Sequence, residues 1–187
     1  MKTVLCYGDS LTWGVDADRR SRHAHEDRWP SVLQKALGHS VRVIAEGLNG
    51  RTAIYDDHSS DADRNGARIL PTILQSHAPI DLVIVMLGTN DLKPIFANNA
   101  VIVGRGIKRL VEIIRSQTWP LETDGPDILI MAPPPLCETD DPVLGPMFAG
   151  RIDEAHMLAS VYADLADELG CGFFDAGSVA RTSPVDG

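Results

Sequence analysis

The sequence has few cysteines, few aromatics, an excess of acids over bases and no long apolar run. Cys6, Cys137 and Cys171 are the only cysteines in 187 residues. Their number is odd, and no Cys-x-x-Cys or Cys/His ligand spacing appears. That excludes a disulfide-stapled miniprotein and a zinc module, and predicts buried free thiols in a reducing cytoplasm. Aromatics make up 5% of the chain and charged residues 23%, so neither an aromatic-rich nucleic-acid surface nor a disordered tail fits. Lysine and arginine number 17 against 26 acids, a net charge of −9. Such a surface repels phosphate backbones, so nucleic acid is not an expected partner. No apolar stretch approaches the roughly 20 residues of a membrane span. The N-terminal run Thr3–Tyr7 stops at Gly8-Asp9 with no small-residue cleavage site, unlike a signal peptide. A cytoplasmic protein without a membrane partner is the expectation.

What is present is an alternation of short apolar runs and longer helical patterns. Strands are predicted at Thr3–Tyr7, Val41–Glu46, Leu82–Leu87, Ile128–Ala132 and Gly172–Phe174. These runs are nearly continuous, as in strands buried on both faces. Helices are predicted at Trp29–Leu37, Asn65–Gln75, Ile107–Arg115 and Arg151–Leu169. Pro71 should kink or break the second. In the last, Ile152, Ala155, Ala159, Ala166 and Leu169 are expected inward. No repeat or linker divides the chain, so one domain is expected over residues 1–187. Strand–helix alternation implies an α/β, three-layer, flavodoxin-like sandwich. Its five-stranded parallel sheet would have the order 2-1-3-4-5.

Ligands of such sheets sit at the carboxyl ends of the strands. There the sequence places Gly8-Asp9-Ser10-Leu11, Gly47-Leu48-Asn49-Gly50-Arg51-Thr52, Gly88-Thr89-Asn90-Asp91 and Pro133-Pro134-Pro135. Ser10 sits in a strand-to-helix turn that can expose its hydroxyl. A serine nucleophile needs a base, an orienting acid and donors for the developing oxyanion. Gly50 can offer a backbone N–H and Asn90 a side-chain N–H. Taken singly, each of the three reads as a turn, a loop glycine or a helix cap. Their recurrence at successive strand ends favours a site.

Tyr7-Gly8-Asp9-Ser10-Leu11-Thr12-Trp13-Gly14 resembles the first block of the SGNH (GDSL) hydrolases. Glu46–Thr52 and Met86–Asp91 resemble the second and third blocks, and Phe174–Ser178 with Val185-Asp186-Gly187 resembles the approach to the last. The extended motifs are most similar to the bacterial arylesterase and acyltransferase (perhydrolase) branch. The resemblance implies a serine esterase for small acyl or aryl esters. Ser10 would be the nucleophile, with Ser10, Gly50 and Asn90 as oxyanion donors and Asp186 as the acid. It implies no cofactor and no metal, and a homo-oligomer with Leu136–Met147 as a candidate interface. By position and resemblance, Asp9, Leu11, Trp13, Arg51 and Lys93 are expected around the substrate. The family's histidine would stand three residues past Asp186, and the sequence given ends at Gly187. The expectation is that it stops short of that block, or that one of the six other histidines serves.

Two alternatives remain open at this point. One is a non-catalytic binding module in which Gly8–Gly14 cradles a phosphate at a helix start; the other is a catalytically dead form. The acidic run Asp56–Asp63 has oxygen ligands suited to Ca²⁺ but no EF-hand spacing, and helix capping by Asp61 or Asp63 explains it.

Overall fold

A computed structural model describes residues 1–119 and 125–187. Among the described residues, five strands form one wholly parallel sheet. They are β1 (Lys2–Gly8), β4 (Val41–Gly47), β5 (Leu82–Met86), β6 (Asp127–Ala132) and β7 (Gly172–Asp175), in the order β4-β1-β5-β6-β7. This is the predicted 2-1-3-4-5 order. A small hairpin, β2 (Val15–Asp16) with β3 (Ser21–Arg22), stands outside the sheet. Its strands are too short to leave a periodic signal.

Alternate residues of the strands build two cores. Leu5, Tyr7, Val83, Val85 and Ile130 face α3 (Gly66–His77), α4 (Ala100–Ser116) and α6 (Ile152–Leu169), the last preceded by the single turn α5 (Leu144–Met147). Val4, Cys6 and Ile84 face the other way, where Trp29 and Leu33 of α2 (Trp29–Leu37) pack. Cys6 is therefore a buried thiol, with burial pushing its pKa up to about 12. Cys137 and Cys171 are only half-buried, and all three are free. No described helix is long and apolar enough to cross a membrane.

Three helices differ in detail from their sequence patterns. α3 runs unbroken through Pro71, with Leu70 and Leu74 wholly buried on either side of it. Its cap is the Asn65 carboxamide, which accepts from the Arg68 N–H at 3.3 Å, rather than Asp61 or Asp63. In α6 the buried stripe centres on Leu158, Tyr162 and Leu165, with Ile152 and Leu169 at its margins. α4 begins seven residues before the predicted start, at an Asn99 cap that accepts from Ile102 N–H at 2.9 Å.

The register brings the site together. Gly8 at the end of β1 pairs with Gly47 of β4 and Met86 of β5. The turns that follow these three strands therefore emerge side by side.

Candidate active site

Ser10 opens a four-residue helix, α1 (Ser10–Trp13), directly after β1. Asp9 caps it, its carboxylate accepting from Leu11 N–H at 3.1 Å. The helix lies on the backbone of Gly47: a Cβ there would come within 2.2 Å of the Trp13 nitrogen. Only glycine lets β4 end against the segment that carries Ser10. Four residues are too few to build the dipole on which a phosphate cradle depends, so the binding-module alternative loses its helix.

The second turn closes through Arg51 N–H to Leu48 C=O at 3.0 Å, with Gly50 in its third position at φ 78°. This left-handed backbone suits glycine. The N–H groups of Ser10 and Gly50 donate no hydrogen bond among the described residues. Arg51 locks the turn from beneath. Its guanidinium donates to the Gly8 carbonyl at 2.9 Å and to the Glu46 carbonyl, and lies 4.3 Å from the centre of the Tyr7 ring.

The third turn carries Asn90 and Asp91, both buried. The Asn90 amide donates to Asp9 Oδ2 and to the Arg51 carbonyl, each at 3.2 Å. It thus ties the first two turns together. The Asp91 carboxylate takes the Ala53 N–H at 2.9 Å, and the Asn98 amide donates to the Asp91 carbonyl at 2.9 Å.

A cavity of about 620 Å³ lies over these turns. Ser10, Gly50, Asn90 and Asp186 all line it, as do Asp9, Leu11 and Lys93. The Asp9 carboxyl is nevertheless spent on the helix cap and Asn90, so that residue shapes the turn rather than offering a free acceptor. Arg51 and Trp13 do not line the cavity. Arg51 is buried on backbone carbonyls, and Trp13 is stacked under the Arg22 guanidinium, 4.4 Å from its centroid. Asp186 is half-buried, and burial raises its carboxyl pKa, with Asp18 and Asp141 adding repulsion.

Sequence reasoning missed other wall residues, among them His23, Arg64, Met147 and Phe148. Arg64 directly follows the acidic run and pairs with Asp57 at 2.9 Å; no motif marks it. His23 sits 3.7 Å from Asp16 and directly follows the hairpin that no periodicity announced. Of the other five histidines none lines this cavity.

Two buried carboxyls beneath the site titrate upward. Burial pushes Asp9 to about 6, against the Leu11 N–H and the Arg51 charge. Burial and the neighbouring Asp9 charge push Asp91 to about 7. An unfolded aspartate titrates near 3.9, so between those values the folded state holds more protons than the unfolded state. Stability therefore falls as pH rises through that window and is greatest on its acid side. The thermal midpoint, followed by calorimetry, is expected to drop between about pH 5 and about pH 8. Asp91→Asn should flatten that slope while lowering the midpoint, because its amide NH₂ would oppose the Ala53 N–H. A midpoint that climbs over the same range would contradict the assignment.

The GDSL-like lipase/acylhydrolase family model matches residues 6–186. A carbohydrate acetylesterase family member from Sinorhizobium meliloti is 64% identical, with a TM-score of 0.98 over 100% of this chain and 88% of that one. The aryl esterase of M. smegmatis is 40% identical, with a TM-score of 0.93 over 100% of this chain and 89% of that one. A second carbohydrate acetylesterase from Sinorhizobium meliloti is 39% identical, at a TM-score of 0.94 and the same coverage as the aryl esterase. No curated protein matches the chain.

Proposed function

The chain belongs to the GDSL-like lipase/acylhydrolase family and is a carboxylic ester hydrolase, and we propose that it works through an acyl-enzyme on Ser10. The observation that carries this reading is the convergence of Ser10, Gly50, Asn90 and Asp186 on one cavity at the strand ends.

Ser10 Oγ attacks the ester carbonyl carbon as its proton passes to a histidine base. Asp186 orients that histidine, which the family pattern sets three residues beyond it. The carbonyl oxygen becomes an oxyanion held by the Ser10 and Gly50 N–H groups and the Asn90 amide. Collapse expels the alcohol, which takes the former Ser10 proton from the histidine, and leaves an acyl-Ser10 ester. Water then attacks the acyl carbon by the same route and frees Ser10. An alcohol or peroxide admitted in place of water would carry the acyl group away instead. No metal or other cofactor enters these steps.

The substrate is a small acyl or aryl ester. The relatives named carbohydrate acetylesterase and aryl esterase support a short acyl group, and Leu11, Leu136, Met147 and Phe148 give the cavity an apolar wall. Within a cytoplasmic homo-oligomer, the segment Leu136–Met147, with Val143 exposed at its tip, is the proposed contact that narrows the site.

p-Nitrophenyl acetate tests the acyl-enzyme on the protein expressed from its whole gene. A burst of nitrophenol equal to the enzyme concentration, followed by slower turnover, is expected. Linear release from the first turnover, together with no acyl group on Ser10 in the quenched enzyme, would contradict it.

A further inference from the structure

We propose that Lys93 and Arg64 form a carboxylate-recognising subsite in the ester cavity, so that the preferred substrates carry an anionic group. The inference rests on the ester-hydrolase reading and names a substrate class for it.

Lys93 is an unusual lining residue. Its side chain is only 10% exposed, yet its ammonium donates no hydrogen bond among the described residues. Its ion pair is a 3.9 Å approach to Asp57 Oδ2, too long for a hydrogen bond. Asp57 is moreover already engaged. It accepts from Arg64 Nη1 at 2.9 Å, from the Ser59 hydroxyl at 2.5 Å and from the Ser59 N–H at 3.1 Å.

Arg64 repeats the pattern. Its Nε is buried and has no hydrogen-bond partner among the described residues. Its guanidinium packs against the bare Cα of Gly50, where a Cβ would stand 2.9 Å from Cζ. Both residues line the cavity that holds Ser10 and Asn90. Two cations thus share one carboxylate beside the oxyanion donors.

The remaining acids near Lys93 are Asp9 and Asp91. Their carboxyls are committed to Leu11, Asn90 and Ala53, and burial holds both toward the neutral form. An ammonium with three donors on a largely buried side chain, held by one ion pair at 3.9 Å, is poorly satisfied. A ligand carboxylate would accept from Lys93 Nζ and supply the missing charge. A neutral sugar hydroxyl would satisfy a donor but leave the charge uncompensated.

The probes are meta-acetamidobenzoate and the neutral meta-acetamidobenzamide, which resist hydrolysis. Their binding is measured by titration calorimetry to the whole-gene protein, to Lys93→Met and to Lys93→Arg. The carboxylate is expected to bind roughly 10- to 100-fold more tightly than the amide, the range for a hydrogen bond to a charged group. Lys93→Met should bring the two near parity, and Lys93→Arg should keep most of the preference. If Lys93→Met does not fold, Arg64→Gln is expected to narrow the same ratio.

Equal affinity for the two probes in the unmutated protein would overturn the subsite. A preference left intact in folded Lys93→Met would also overturn it. Selective carboxylate binding without p-nitrophenyl acetate turnover would sustain the subsite and sink the esterase reading. Turnover without selectivity would do the reverse.

Discussion

Ser10→Ala lowers kcat for p-nitrophenyl acetate by roughly 10⁶-fold, the scale on which removal of a serine nucleophile is felt. The variant keeps the fold, because the Ser10 side chain takes part in no hydrogen bond among the described residues. The backbone N–H of Ser10, the Asp9 cap and the Gly47 contact all survive the change. Substrate binding, carried by the cavity wall, should move far less than kcat. Loss of the melting transition would instead mark Ser10 as structural. Undiminished turnover in a folded Ser10→Ala protein would remove it from the chemistry.

Asn90→Ala is expected to cost on the order of 10²–10³ in kcat, as loss of a single oxyanion donor does elsewhere. Both Asn90 amide hydrogens are occupied at rest, at 3.2 Å to Asp9 and to the Arg51 carbonyl. These are long bonds, at the weak end of the N–H···O range. A developing oxyanion competes for one of them, so the amide stabilises the transition state more than the bound ester. The loss should therefore fall on kcat, with KM nearly unchanged. A raised KM with kcat intact would make Asn90 a ground-state binder. Asn90→Ala also removes the tie between the first two turns, so its melting curve is recorded alongside the kinetics.

The sheet was legible because its strands are buried on both faces and read as unbroken apolar runs. Leu82–Met86 is an example, with alternate residues facing the two cores. The site was legible because chemistry collects at strand ends, which places Ser10, Gly50 and Asn90 together once the strand order is known. The start of α4 is hard to read because Val101–Val103 are β-branched and Gly104 and Gly106 lower helix propensity. Those glycines are there for packing: a Cβ on Gly104 would reach within 2.7 Å of Val161 on α6. Arg51 is not legible in the same way. An arginine at a strand end suggests substrate contact, whereas the Gly8 and Glu46 carbonyls consume its donors. Asp91 and Lys93 are both buried, which a charged residue in a strand-end turn does not announce.

The central claim is that Ser10 is the residue that takes the acyl group. Incubating the whole-gene protein with a fluorophosphonate and locating the adduct by peptide mass spectrometry tests it most directly. One adduct per chain is expected, on the peptide containing Ser10, with esterase activity lost in proportion. An adduct on another residue, or full esterase activity in a protein that takes no label, would contradict it.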